Sequence, residues 1–409
     1  MALRPRKLGR MAIKQQSSWG TAETSFTATD YLECMVGDPV IVRDGERIDP
    51  IRAGFEEPEV LSGAFGPIEI PISFPLHGWS TQTPTGNPTQ HPDGLLMKLA
   101  LGAAATPIGY FASGVASGGT TSSLNFTAGS TCTAAWCGNA MLIPVSGTPG
   151  YELFVAKTFT DGTPDVIVPK VPLQRTPLSS GNVFGSLAYY LAPNTQLPVT
   201  LDWLGIADAE HHIRYADVMV RSLRVTGRTR IGPMVEATLR CTAAPTYPGA
   251  GGAMASYAYG YPRIPQAIKA TGASLYFNGA WTAISEASFG VENTLGDSEE
   301  WSGDTGLGQQ VVTDRKVTVT LTVPSTASFA NELLNPGTKP DGLQVVFACD
   351  TPGRAAGFDL GSPVLTKVGN LGSRNELLAI TYEVAGQVYA GDTGVGSGAG
   401  NKGARFFFA

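Results

Sequence analysis

The sequence is poor in charged residues. Lys, Arg, Asp and Glu make up 15% of the 409 residues, whereas about a quarter is usual for a soluble domain. A surface with so few charges is either adhesive or covered by a partner, and we interpret it as covered through self-association. The formal net charge of −6 provides no broad basic face for gripping phosphate, which argues against DNA binding as an end in itself.

Cysteine and long apolar runs are also scarce. Five cysteines, an odd number spread over a long chain, argue against a secreted disulfide framework. The basic segment 1–13 lacks the apolar run of a signal peptide, and no stretch approaches the ~18 apolar residues of a membrane span. We therefore expect a protein kept in a reducing cytoplasm, without membrane insertion.

The sequence does contain period-two alternation of apolar and polar residues, the pattern of half-buried strands. It is clear over 68–76, 234–241, 316–323 and 377–384. In the first of these, prolines at 71 and 75 remove donors from the ladder, which predicts an edge strand or a bend. With 50 Gly and 29 Pro to punctuate short strands, the pattern predicts a mainly β protein.

Helical patterns are few. Residues 93–102 have an acidic cap, an apolar face and a terminal glycine, and residues 326–334 are followed by Pro336. We predict roughly one short helix in each half of the chain.

The order of these patterns indicates an internal duplication. Residues 39–46 predict a hairpin with an Asp-Gly turn, and residues 273–280 predict one with an Asn-Gly turn. In both halves an alternating strand, a short helix and a strand pair follow. The first copy is interrupted by residues 114–182, which are rich in Ser, Thr and Gly and predict a small β insertion.

These patterns give a predicted domain organisation. The C-terminal tail is a Gly-rich linker that ends in Arg405-Phe-Phe-Phe-Ala409, and the sequence leaves open whether this end docks on a neighbour or frays. The predicted parts are an N-terminal arm at 1–30, a first β-unit at 31–113 and 183–245, the insertion at 114–182, a linker at 246–270, a second β-unit at 271–390 and the tail at 391–409.

The sequence offers no convincing active site, so we predict neither an enzyme nor a cofactor. Asp208, Glu210, His211 and His212 could hold a metal, but adjacent histidines on a strand point to opposite faces, and a solvated turn is favoured. Acidic pairs such as Glu299 and Glu300 say nothing about spacing across a substrate. Neither a phosphate-binding loop nor a nucleophile elbow occurs in its required context.

Several segments resemble one protein family. Residues 6–21 (Arg-Lys-Leu-Gly-Arg-Met-Ala-Ile-Lys-Gln-Gln-Ser-Ser-Trp-Gly-Thr) resemble the start of tail tube proteins from long, non-contractile-tailed phages. The resemblance continues through the strand at 63–76, the helix at 95–102 and the region 199–242, of which 215–225 resembles the late strand of the family. The similar segments follow one another in the same order as in the family and together extend over most of the chain.

The resemblance implies a fold and a role. The fold is a β-sandwich or barrel unit, with six units forming a ring and stacked rings forming a tube that conducts the genome. Two units in one chain would give a homotrimeric, pseudo-hexameric ring, with a hexamer as the alternative. The implied location is the virion tail, reached by assembly in the host cytoplasm.

The resemblance also implies partners and rivals. Tape measure protein and double-stranded DNA would occupy the lumen without specific binding, and tail terminator and distal tail proteins would meet the tube ends. Alternatives are another ring-forming tail component or a surface-exposed β-rich adhesion module.

A tube needs contacts within rings and between rings, and the sequence suggests residues for each. Two alternating strands are candidates for the ring interface or channel wall, because open strand edges can continue into a neighbouring sheet; their residues are Ile68, Ile70, Ile72, Val317, Val319 and Leu321. The acidic, Gly-rich segment 296–310 is predicted to be a loop that reaches the next ring. Its candidate contact residues are Glu299, Glu300, Trp301 and Asp304.

Overall fold

The computed structural model describes residues 10–26, 30–32, 35–36, 45–48, 59–78, 93–104, 119–126, 133–147, 150–179, 182–192, 198–204, 212–228, 231–246, 273–299, 307–325, 336–337, 339–340, 342–349, 352–369, 372–374, 377–387 and 402–409. Strands dominate this part of the chain and pair antiparallel, which confirms the predicted mainly β class.

The strands in the first half of the chain are β1 (Arg10–Gln15), β2 (Tyr31–Leu32), β3 (Met35–Val36), β4 (Gly45–Ile48), β5 (Glu59–Phe65), β6 (Ile68–Pro75), β7 (Gly102–Ala104), β8 (Leu124–Phe126), β9 (Ala140–Pro144), β10 (Tyr151–Thr160), β11 (Asp165–Pro169), β12 (Leu187–Leu191) and β13 (Val199–Leu204). Those that follow are β14 (His212–Arg228), β15 (Ile231–Cys241), β16 (Ser274–Phe277), β17 (Ala280–Thr282), β18 (Glu286–Glu299), β19 (Leu307–Pro324), β20 (Leu343–Cys349), β21 (Ala355–Leu360), β22 (Ser362–Val368), β23 (Gly372–Arg374), β24 (Leu377–Gln387) and β25 (Ala404–Phe408).

Strand β14 connects two layers of the fold. One edge of β14 pairs with β13 as far as Val218 and then with β18 from Ser222 onward, while its other edge pairs with β15. Val218, the last residue paired with β13, follows Asp217, whose φ of 53° is in the left-handed region. The Gly20 N–H donates to the Asp217 carboxylate (2.9 Å), and the Asp217 N–H donates to the Gln16 side chain (3.1 Å). These bonds hold the bend that separates the layers.

Around this bend the chain forms a first sandwich. One layer has the order β2-β1-β13-β14, and the other has the order β3-β6-β15-β14. A second sandwich has the layers β17-β16-β20-β21 and β18-β19-β24-β22. The pairing of β14 with β18 joins the two sandwiches edge to edge, so that one continuous sheet runs from β3 to β22. Apolar side chains of both sandwiches contribute to one core.

The registers of the two sandwiches repeat. Pro75 at the end of β6 lies opposite Met234 on β15, and Pro324 at the end of β19 lies opposite Ala379 on β24. From these two points the β6–β15 register and the β19–β24 register continue residue by residue in the same way. A β-bulge falls at the same step in each sandwich: β14 shifts register between Val220 and Ser222, and β22 shifts between Leu365 and Lys367. A shared irregularity of this kind supports a duplication, because bulges are specific local features of a strand pair.

The registers align the two copies differently from the sequence patterns. Met11 of β1 lies opposite both β13 and β2, just as Leu275 of β16 lies opposite both β20 and β17. The first copy therefore begins at β1, inside the segment that the sequence assigned to an N-terminal arm. Most of the predicted hairpin at 39–46 lies outside the described residues. The long connection from β1 to β2 contains no Asp-Gly or Asn-Gly hairpin turn, which is why the Asp-Gly pattern at 39–46 misled the alignment.

The first predicted helix is present as α1 (Gly94–Leu101). Leu96, Met97 and Leu99 are fully buried on it, and Gly102 ends it at φ 106°, a left-handed value that favours glycine. Asp93 occupies the N-cap position, but its carboxylate accepts from the His77 N–H (2.8 Å) rather than capping the helix. The second predicted helix, at 326–334, lies outside the described residues.

The insertion forms its own sheet, in the order β8-β11-β10-β9, around a separate apolar cluster. It packs on the second sandwich. The Gln344 amide donates to the Leu153 carbonyl (2.9 Å), and the Trp281 indole donates to the Pro172 carbonyl (2.7 Å). The contact is made by the outer face of the layer that contains β20, because Val346 faces the insertion while Val345 faces the main core.

The C-terminal strand is a central strand of the chain's own sheet. β25 lies between β21 of the second sandwich and β12, which follows the insertion. Phe406 and Phe408 point into the main core, and Phe407 points to the cluster under the insertion. Both faces of this strand are thus covered, which explains why three phenylalanines follow one another at 406–408 without a polar residue between them. This arrangement differs from both alternatives, a frayed end and docking on a neighbour.

Candidate assembly surface

The six strand residues proposed from the sequence are core residues. Ile68, Ile70, Ile72, Val317, Val319 and Leu321 are all at most 7% exposed and belong to the main apolar core. Alternation identifies which side chains share a face, but the apolar face of a sandwich strand packs against its own second layer. As contact candidates, these residues are replaced by their neighbours of opposite parity, on the open face of the continuous sheet.

Small hydroxyl side chains line much of this open face. Ser73 on β6, Thr238 on β15, Ser222 on β14 and Thr318 on β19 border one shallow concavity. The registers place these strands side by side, so the hydroxyls form a band across both sandwiches. The band continues along β19 as Thr320 and Thr322. This face is polar without being strongly charged.

The charged groups of the open face occur as opposite pairs across neighbouring strands. Arg228 on β14 pairs with Glu286 on β18 (3.3 Å), and Lys367 pairs with Glu383 (3.2 Å). Further opposite charges face each other in register or in ion pairs; these are Arg221 with Glu69, Arg224 with Glu236, and Lys316 with Glu292. Each pair is solvent-accessible and adds little stability. Its effect is to leave little unopposed charge of either sign.

The junction between the sandwiches is the pairing of β14 with β18. It runs in register from Ser222 opposite Glu292 to Arg228 opposite Glu286. On the open face, the Arg224 guanidinium donates to the Ser288 hydroxyl (3.2 Å). On the core face, Phe347 lies directly under Gly227, where a Cβ atom would collide with the ring. The junction is therefore a packed, two-sided interface between equivalent units.

The segment 296–310 was expected to be a structureless loop, and the structure corrects this. Its ends belong to a long hairpin arm, formed by the distal parts of β18 and β19. Asp297 accepts two hydrogen bonds from Arg240 on β15 (both 2.5 Å), and the buried Gln310 amide donates to the Asp217 carbonyl (2.8 Å). These contacts fix the base of the arm to the first sandwich. Glu299 ends β18, whereas Glu300, Trp301 and Asp304 lie outside the described residues.

The first sandwich has a corresponding arm. β4 and β5 lie between β3 and β6 in the chain and pair with each other. In the second sandwich the chain runs along the proximal part of β18, out and back through the paired distal parts of β18 and β19, and then along the proximal part of β19. The distal parts of β18 and β19 therefore correspond to β4 and β5. By sequence alone, the counterpart of the acidic segment 296–310 in the first copy is a much shorter segment at 62–67. A turn-based comparison missed the β4–β5 arm because its two strands are separated by residues 49–58.

A buried ionic cluster links the C-terminal strand to the insertion, and no sequence pattern had singled it out. Arg405 on β25 donates two hydrogen bonds to Asp359 on β21 (both 2.7 Å), and Lys170 from the insertion also pairs with Asp359. All three side chains are at most 5% exposed. Burial alone would raise the pKa of Asp359, but Arg405 and then Lys170 outweigh it and hold the pKa below its usual range. The only sequence signal was an arginine directly before three phenylalanines.

The remaining candidate sites weighed in the sequence are not seen in the described part of the chain or lie outside it. No group of three or more His, Cys, Asp or Glu side chains is arranged to hold a metal ion among the described residues. The candidate cluster at 208–212 falls almost wholly outside them. Cys137, Cys241 and Cys349 are buried, and the Cys241 thiol donates to the Ala216 carbonyl (3.0 Å). No helix in the described ranges is long and apolar enough to cross a membrane.

No protein-family model matches the chain, and no curated protein matches it. The geometry of the duplicated sandwich and its open sheet face is therefore the basis for inferring function.

Proposed function

We propose that this protein is the structural subunit of a phage tail tube, with three chains forming a closed ring around a central channel. The observation that carries the proposal is the continuous sheet in which two equivalent sandwiches join edge to edge through β14 and β18. The resemblance of the N-terminal run and the later strands to tail tube proteins agrees with this geometry.

Edge-to-edge joining is the kind of contact from which rings form. A contact between two different edges of equivalent units is heterologous, and its repetition gives a closed ring or an open filament. The chain already contains one such contact between its two copies. Repetition between chains would therefore extend the same sheet, and three chains would supply six sandwich units.

The open sheet face suits a channel through which DNA slides. Each phosphate neutralised by Lys or Arg adds salt-dependent affinity, and affinity would retard a moving genome. On this face the cations are opposed by carboxylates, as in the pair of Arg228 with Glu286. Hydroxyls such as those of Thr238 and Thr318 lie between them. Such a wall offers contact without net electrostatic attraction.

The position of the insertion agrees with this orientation. It packs on the outer face of the layer that contains β20, whereas the proposed channel wall belongs to the other layer of the sandwich. If the open face lines the lumen, the insertion lies on the outside of the tube and leaves the channel free. Tape measure protein and DNA would then contact only the hydroxyl-rich face, and terminator and distal tail proteins would contact the ends.

Electron microscopy of the purified recombinant chain tests the proposal. We expect long tubes with threefold symmetry and an inner wall of pseudo-sixfold symmetry. Single rings that do not stack would favour a terminator or distal tail component instead. Dispersed monomers under all salt conditions would refute the proposal and favour an adhesion module.

A further inference from the structure

The strand order of the continuous sheet ends at β22, which pairs with β24 on one side. β23 follows β22 and extends the same ladder on β24. No other described strand pairs with the edge of β22 and β23 that faces away from β24. Leu378, on β24 opposite Ser373, is 55% exposed, so the end of the sheet also presents an apolar side chain to solvent.

The equivalent edge in the first sandwich is covered. The shared bulge equates Lys367 of β22 with Ser222 of β14. Further along, Gly372 lies opposite Ala379 as Thr226 lies opposite Met234, which equates β23 with the end of β14. In the first sandwich this stretch is paired throughout with β18. The second sandwich therefore has the same edge without the strand that covers it.

The strand that could cover this edge is the first-copy counterpart of β18, which is β3. Met35 and Val36 of β3 lie opposite Ser73 and Ile72 of β6, in the way that Glu286 and Ala287 of β18 lie opposite their partners on β19. Within one chain, β3 and β22 are at opposite ends of the sheet. Only a second copy of the chain can bring β3 against β22.

We infer that the edge formed by β22 and β23 of one chain pairs antiparallel with β3 of the next chain and continues the sheet across the subunit boundary. The inference rests on the proposed ring and identifies the surfaces that close it. The in-chain junction supplies the register. Counting from Gly372, Arg374 occupies the place of Arg228, and Met35 occupies the place of its partner Glu286. Arg374 and Met35 of neighbouring chains are thus directly opposite.

Cysteine cross-linking tests this register. The chain carries Arg374→Cys and Met35→Cys in a Cys34→Ser background, is assembled, and is treated with a mild oxidant or a short bis-maleimide. Directly opposed strand residues have Cβ atoms about 4.5–5.5 Å apart; the bis-maleimide spans this whole range, and a disulfide reaches its lower end at about 4.5 Å. We expect covalent dimers and trimers on a denaturing gel, with the ladder ending at the trimer because the ring closes. The single variants should give no such ladder.

The matched control is the in-chain pair, Arg228→Cys with Glu286→Cys in the same background. It should form the cross-link at similar yield without any change in mass, detected as loss of free thiol and faster migration. If the double variant does not assemble, an equimolar mixture of the Arg374→Cys and Met35→Cys chains gives the same readout as covalent dimers.

The outcomes separate the inference from the proposed function. Tubes or rings that form normally, with a positive in-chain control and no cross-link between chains, would overturn the edge assignment and leave the tube proposal intact. Chains that stay dispersed and give no product between chains would overturn both. A ladder that extends past the trimer would retain the edge contact but exclude the closed three-chain ring.

Discussion

Removing the charge of Arg405 tests whether the buried ionic cluster holds the C-terminal strand in place. Arg405→Met keeps a side chain of similar length but leaves Asp359 buried with Lys170 as its remaining partner. Breaking a buried pair by removing one partner typically costs about 3–5 kcal/mol. Because one cation remains, we expect a loss of about 3 kcal/mol.

The assay is guanidinium chloride unfolding followed by fluorescence. With a slope of about 6 kcal/mol per molar, the expected loss moves the midpoint down by about 0.5 M. The control is the triple variant Arg405→Met, Asp359→Leu, Lys170→Met. Replacing a whole buried cluster by apolar residues is often neutral or stabilising, so the triple variant should recover most of the loss. A midpoint for Arg405→Met within about 0.1 M of wild type would refute the reasoning.

The pH dependence of this loss follows from Asp359. Its pKa is lowered in the folded state, so the stability that the carboxylate contributes is present above the unfolded-state pKa of about 4. That contribution disappears as the pH falls through the folded-state pKa. We therefore expect the difference between wild type and Arg405→Met to be full at pH 7 and to shrink below about pH 4. A difference that grows on acidification would contradict the assignment.

Three further predictions concern other parts of the fold. Gly102→Ala should lower stability by about 2–4 kcal/mol in a thermal melt, because a Cβ atom there collides with the Ala192 carbonyl. The control is Gly20→Ala, at a glycine that also has a positive φ but has open space around it. This control should cost about 1 kcal/mol. Burial raises the pKa of Glu152, so its favourable contribution to stability is present below the unfolded-state pKa and is lost as the pH rises through the folded-state pKa. Glu152→Gln should therefore make the melting temperature less dependent on pH between pH 4 and 8. An unchanged pH dependence would contradict this prediction. Deleting residues 404–409 should expose β12 and β21 and give a chain that binds a hydrophobic dye and melts without cooperativity, whereas a native-like melt would show that β25 is dispensable.

Local patterns in the sequence predicted the parts of the fold that depend on local physics. Alternation in Val317, Val319 and Leu321 identified a strand, because side chains on a strand change face at every residue. The apolar face of residues 93–102 and the glycine at its end identified α1, because helix faces and helix ends are also set by local sequence. These patterns also indicated a duplication and an insertion. They could not say against what each apolar face packs, and so the same valines were taken for contact residues.

What the sequence could not predict depends on pairing between distant segments. β1 pairs with β13, although most of the first copy and the insertion lie between them in the sequence. Local turn patterns therefore could not predict this pairing. β25 enters the sheet beside β12, although its sequence is preceded by a Gly-rich stretch typical of a flexible tail. The cluster of Asp359, Arg405 and Lys170 joins three parts of the chain. Its members are ordinary in local context, and only the fold brings them together.

The duplication has a consequence for assembly if three chains close the ring. The junction of β14 with β18 forms within one chain, so it gains the high effective concentration of linked units, whereas the junction of β22 with β3 must form between chains. Only half of the ring contacts would then depend on protein concentration. The fusion also allows the two copies to diverge, since the insertion occurs in one copy only. The outer surface of such a tube would be strictly threefold, while the hydroxyl-lined inner wall, built from equivalent strands of both copies, would remain close to sixfold.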